Sequence, residues 1–255
     1  MALRENSAFR LFRFVQKMMP QPDNLPTAQA VLNAFGIERD ISGHEKAASL
    51  SRVTFLIFTE LDSLVKELRQ ENMTEESYQP ITNAFERFSA TGLASNWQQS
   101  KPVFGAALNP LRIFGETLSD EDISVSADDL TQLSAAIDSL RNEVQTSDLP
   151  DPVKAFIEEQ LNIISRAIHD YPLSGIKAFR TAARESIFYE AEHSDVAATA
   201  EKAPQMTKLR SIQTKVVQMS KYAIEFSKFL GAVDSLRQHA GTALQGVHQV
   251  FHLLK

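Results

Sequence analysis

Eight apolar residues near the C-terminus, Leu209, Ile212, Val216, Met219, Ala223, Phe226, Leu230 and Val233, step by 3, 4, 3, 4, 3, 4 and 3 along the chain. A strand changes face at every residue and would scatter this set over both sides, whereas a helix gathers it into one seam. The spacing predicts a helix of about 35 residues starting near Pro204, about 50 Å long at the α-helical rise. A helix of that length with one apolar seam is either the spine of a bundle or pairs with a second copy of itself. Leu209, Ile212, Val216, Met219, Phe226, Leu230 and Val233 are therefore the candidate self-association residues. Gly231, Gly241 and Gly246 soften the far end, where LQGVHQVFHLLK reads as a shorter terminal helix folding back.

The same period runs through most of the chain. Leu50, Val53, Ile57, Leu61, Leu64 and Leu68 place a helix over about 45–71. Leu130, Leu133, Ile137, Leu140 and Val144 mark another, opened by Ser126 as its cap with Asp129 reaching back as in a capping box. Asp151 reads as an N-cap before Pro152, since proline lacks the amide that is unpaired at that position. Phe156, Ile157, Leu161, Ile164 and Ile168 follow as a buried stripe. His169 and Asp170 come next, and Pro172 is expected to end the helix because it restricts Tyr171 and clashes with the preceding turn. The pair is read as a helix terminus, with His169 complementing the dipole and Ser174 capping the next helix, rather than as a catalytic dyad. The expectation is an all-α fold of about eight helices, a multi-helix bundle of antiparallel hairpins with a long C-terminal heptad-patterned helix.

Residues 92–120, GLASNWQQSKPVFGAALNPLRIFGETLSD, interrupt this pattern with Pro102, Pro110, Gly92, Gly105 and Gly115, and hold the single tryptophan, Trp97. They predict an irregular connection over 101–120 between an N-terminal helical part, 1–100, and a C-terminal helical bundle, 121–255. Long irregular connections inside compact domains are often functional, so a helical enzyme with a site under 92–120 is one reading.

Composition removes several chemistries. No cysteine is present, which excludes disulfides, thiolate metal sites and cysteine nucleophiles, and fits a reducing compartment; the cytoplasm is the expected location. The apolar run from Val53 to Phe58 is far below the roughly 20 residues a membrane span needs. Single, scattered glycines build no phosphate loop, and no Gly-x-Ser-x-Gly elbow occurs. His248 and His252 share a helix face but lack the glutamate of a zinc protease motif. Glu190 and His193 have the Glu-x-x-His spacing of di-iron bundles without the second such pair. No metal, cofactor or catalytic residue is assigned, and the reading favours a protein without catalytic activity.

Charge is unevenly spread. Residues 116–159 carry twelve Asp and Glu against Arg141 and Lys154, while residues 202–255 carry eight Lys and Arg against Glu225 and Asp234. The acidic middle either neutralises the basic ends of the same chain or faces a basic partner. In the latter case Asp120, Glu121, Asp122, Asp128 and Asp129 are the candidate contacts of an acidic immunity or antitoxin protein. Lys208, Lys215 and Lys221, with Arg210 and Lys228, form a basic stripe, but the chain is acidic overall and no aromatic platform accompanies the stripe, which argues against nucleic acid. The start, MALRENSAFRLFRFVQKMMP, is basic and amphipathic. It is read as core or dimer contact, with membrane-surface contact through residues 1–20 as the alternative.

The segment from Leu149 to Ala183, with its proline-started helix, Ala167, the Tyr171 and Gly175 junction and the amphipathic helix after it, resembles a stretch of uncharacterised helical bacterial proteins. The resemblance implies a bacterial source and no activity. The leading expectation is a non-enzymatic helical protein-protein interaction module, its partner another protein or a second copy.

Overall fold

The computed structural model describes residues 5–37, 42–120 and 125–220. Among them eleven α-helices follow one another: α1 (Ser7–Met18), α2 (Thr27–Ala34), α3 (Gly43–Gln70), α4 (Glu75–Phe85), α5 (Ala90–Ala94), α6 (Trp97–Thr117), α7 (Ala127–Thr146), α8 (Asp151–Ser174), α9 (Ile176–Glu192), α10 (Ser194–Ala200) and α11 (Pro204–Ser220), with a 3₁₀ turn at Glu86–Phe88. The fold is all-α, as the periodicity predicts. The described residues contain no strand, only an isolated bridge between Pro26 and Asn96. No described helix is long and apolar enough to cross a membrane.

The chain divides into two compact units. The first takes the described residues up to 120 together with Pro172–Gly175; the second takes 125–171 and 176–220.

In the first unit, α6 packs against both α4 and α1, and α1 also meets α2 and α3. The buried side of α1, formed by Ala8, Leu11, Phe14, Val15 and Met18, is core, so the amphipathic start of the chain covers its apolar face internally. The expected irregular connection over 101–120 is instead most of α6. Trp97, Ser100, Phe104, Ala107, Leu111 and Phe114 are buried at steps of 3, 4, 3, 4 and 3, a seam as regular as the one at the C-terminus. Pro102 and Pro110 each delete one backbone donor, toward the carbonyls of Gln98 and Ala106. Both of those residues are exposed, which lets water reach the released carbonyls at little cost. Gly115 does not break the helix either: a Cβ there would lie 2.8 Å from the ring of Phe9, so glycine allows α1 to approach. Gly92 is equally constrained, since a Cβ would meet the Arg87 carbonyl oxygen at 2.1 Å.

In the second unit, α11 packs against α9 and α7, and α10 against α9. Arg141 on α7 reaches α8 through Glu158 at 2.6 Å and Asn162 at 2.9 Å. Phe156 on α8 stacks on Tyr189 of α9 with ring centroids 5.7 Å apart.

Three local expectations are corrected. The α8 helix continues through Pro172 to Ser174, and the turn falls at Gly175, whose φ of 55° is the left-handed conformation glycine tolerates. Ser174 is thus the last residue of α8, and His169 lies in the penultimate turn. Asp151 is the first helical residue rather than the cap: the Pro150 carbonyl accepts from the amides of Val153 and Lys154 at 2.9 and 3.0 Å. Ser126 does cap α7, its Oγ accepting from the Asp129 amide at 3.0 Å, but the aspartate is too short to return to the backbone and accepts the Ser126 hydroxyl at 2.6 Å instead. A complete capping box stands at Ser42 and Glu45, the head of α3. Hydrogen bonds from the Ser42 side chain and backbone hold the Glu45 carboxyl below its ordinary pKa.

Candidate functional site: an aromatic face on α3

The candidate residues read from sequence have separate fates. Leu209, Ile212 and Val216 are buried within the chain among α7, α9 and α11, and Met219 is half-buried. Over its described part the heptad seam is therefore internal core; Phe226, Leu230 and Val233, like His248 and His252, lie outside the described residues. Of the acidic set, Glu121 and Asp122 also lie outside them. Asp120 accepts from the Glu5 amide at 3.1 Å, and Asp128 and Asp129 occupy the first turn of α7, where negative charge complements the helix dipole. The basic C-terminal helix neutralises some of the acidic residues directly: Lys208 pairs with Glu143.

Glu190 accepts two 2.6 Å hydrogen bonds from the Arg210 guanidinium, which also reaches Glu201 at 3.2 Å. Burial works to lower the pKa of Arg210, and the hydrogen bonds and charges of Glu190 and Glu201 outweigh it, so the guanidinium is held above its ordinary value. His193 stacks on Tyr189, whose phenol is pushed up by burial and by the charge of Glu159. Among the described residues no group of three or more His, Asp or Glu could hold a metal ion.

Two buried polar clusters were missed by sequence reasoning. In the first unit, Arg10 on α1 is fully buried and donates through Nε to Glu60 of α3 at 2.9 Å and again through Nη2. In the second, Gln160 of α8, Ser186 of α9 and Gln213 of α11 are buried together. Gln213 Nε2 donates to Gln160 Oε1 at 3.1 Å and to Ser186 Oγ at 3.0 Å, while the Ser186 hydroxyl donates to Gln160. Ser186 has its proton and an acceptor site both engaged by amides, and neither amide is a base that could activate it as a nucleophile. The available signal was a polar residue at a stripe position: Glu60 lies between Ile57 and Leu64, and Gln213 between Ile212 and Val216.

Beneath 92–120 lies aromatic core. Trp97 sits 5.5 Å from Phe104, and Phe104 is 5.8 Å from Phe85 and 5.3 Å from Phe88. The nearby hydroxyls of Thr27 and Ser100 bond each other at 3.0 Å, and Thr27 also donates to the Ser95 carbonyl at 3.0 Å.

Among the described residues, the most exposed large hydrophobic side chain is on α3. The core side of α3 is Val53, Ile57, Glu60, Leu64 and Leu68. On the opposite side Phe55 is 69% exposed, and Phe58, one turn along, is 41% exposed while touching Phe88 edge-on. Isolated exposed hydrophobics such as Met73 and Ile113 are ordinary on any protein. Two phenylalanines one turn apart on one helix are contiguous, and leaving Phe55 in water forgoes about 2 kcal/mol of burial. Their flanks carry charge: Glu45 and Arg52 toward the start of α3, Asp62, Lys66 and Arg69 toward its end. Arg69 is held above its ordinary pKa by a hydrogen bond to Tyr78.

Comparison of the chain with protein families, with curated proteins and with solved structures finds no match.

Proposed function

We propose that this protein is a non-enzymatic helical protein-interaction module, a multi-helix bundle of antiparallel hairpins that engages its partner through the exposed side of α3. The observation that carries the reading is Phe55, 69% exposed directly opposite the core side of a 28-residue helix and next to Phe58. Aromatic residues with an apolar body dominate the energetics of protein interfaces, and a rim of mixed charge around them supplies orientation. The internal engagement of Glu190, Ser186, Asp120 and Asp129 supports this reading over one based on catalysis or an acidic docking face.

The test is quantitative enrichment of cellular proteins on the tagged full chain and on Phe55→Asp. The expected outcome is a small set of proteins, this chain's own untagged copies included, retained by the first and lost from the second. Identical sets from both would sink the reading.

A further inference from the structure

We infer that the buried polar cluster shared by α8, α9 and α11 is a register lock: it holds α11 in one of two registers, seven residues apart, that the apolar seam of α11 would otherwise accept.

The seam does not choose a register by itself. Leu209, Ile212, Val216 and Met219 follow at steps of 3, 4 and 3, and the heptad period continues along the sequence beyond Met219. Advancing α11 by seven residues, about 10 Å at the α-helical rise, puts Val216 and Met219 where Leu209 and Ile212 now pack against α7 and α9. The residues released at its start lengthen the connection from α10, which costs little. The opposite slide is closed, because it carries Lys202 into the place of the buried Leu209.

The polar residues beside the seam do not repeat. Seven residues after Arg210 stands Val217, and seven after Gln213 stands Ser220. In the observed register Arg210 donates to both carboxylate oxygens of Glu190 at 2.6 Å and to Gln213 Oε1 at 3.0 Å. A guanidinium only donates, so Gln213 turns its oxygen to Arg210 and its amide nitrogen inward. That nitrogen donates to Gln160 Oε1 and to Ser186 Oγ, which leaves the Ser186 hydroxyl to donate to Gln160. Gln160 closes the network by donating to the Ser186 carbonyl at 2.9 Å. Gln160 is fully buried, and Ser186, Glu190 and Gln213 are nearly so. The advanced register sets Val217 in place of the guanidinium and Ser220 in place of the amide, so Glu190 is parted from Arg210, and Gln213 enters the apolar place of Met206. Separating a buried ion pair is costly enough to disfavour that register by about a hundredfold or more. A polar residue set into the seam of a coiled coil fixes its register in the same way.

The experiment is intramolecular cross-linking with a short bifunctional maleimide, which the absence of native cysteine makes specific. Lys208 pairs with Glu143, and Lys215 is exposed seven residues on. Glu143→Cys with Lys208→Cys therefore reports the observed register, and Glu143→Cys with Lys215→Cys the advanced one. Each pair is placed in three backgrounds, with thermal melting to show that each is folded. The first is otherwise unchanged, and it should link through position 208 about a hundredfold faster than through 215. The second carries Glu190→Leu, Arg210→Leu and Gln213→Leu together, and its preference for 208 should fall by about tenfold or more. The third exchanges the two sets of residues, Arg210→Val, Gln213→Ser, Val217→Arg and Ser220→Gln, and should link through 215 in preference to 208. A smaller fall in the second, or a third that still prefers 208, would overturn the inference. Loss of cooperative melting in the second or third would also overturn it, since the cluster then supplies stability and the seam accepts no second register.

Discussion

The contact between Arg10 and Glu60 shows how much a single residue pair can decide. Both side chains are out of water, Arg10 completely and Glu60 at 1% exposure, so each carries a large desolvation cost that their short ion pair helps to offset. Glu60→Ala leaves the guanidinium buried without its main counter-charge, although Glu5 stands 4.0 Å away. The expected loss is about 3 to 5 kcal/mol in urea unfolding, the range seen when one partner of a buried pair is removed. Replacing both, Arg10→Met with Glu60→Leu, should recover most of that stability. A loss below about 1 kcal/mol for Glu60→Ala would mean that water reaches the pair. Periodicity alone could not expose the pair. Leu61 and Glu60 are neighbours on the same side of α3, and an apolar count selects Leu61, which is only half-buried, over Glu60.

At the level of elements, legibility followed the prolines. The α3 and α7 helices, whose apolar stripes run uninterrupted, are visible in the sequence to within two or three residues of their ends, and α11 begins at the Pro204 that marks its start. The α6 helix was hidden because Pro102, Gly105, Pro110 and Gly115 are turn formers by local propensity, and tertiary burial of its seam from Trp97 to Phe114 overrode them. The Phe55 face was equally hard to find: the stripe through Val53, Ile57, Leu64 and Leu68 marks the core side, but Phe55 and Phe58 sit within the same apolar run, and only the packed structure shows them exposed. Pro102 is exposed and lies inside α6, so Pro102→Ala restores a backbone hydrogen bond to Gln98 and removes a steric clash without disturbing the seam. Part of the benefit is returned because alanine frees the unfolded chain. A net gain of about 1 to 2 kcal/mol is expected, read as a raised urea midpoint at unchanged slope. A destabilised variant would show that Pro102 shapes α6 in a way its backbone does not display.

For the whole molecule, two helices offer apolar surface, and they answer differently to a charge. Val216 on α11 is 2% exposed and packed within the second unit, whereas Phe55 on α3 stands in solvent. An aspartate at 216 must either bury an unpaired carboxylate or force the helix away from α7 and α9, at a cost of about 4 kcal/mol or more, a large share of the stability of an ordinary domain. Val216→Asp should therefore lower the thermal midpoint by about 10 °C or more at every protein concentration. Phe55→Asp should move the midpoint by about 2 °C or less in dilute solution, because exposed positions tolerate substitution. A Val216→Asp protein that melts like wild type would instead put the heptad seam at the surface, and an equally large loss in Phe55→Asp would put the α3 phenylalanines in the core.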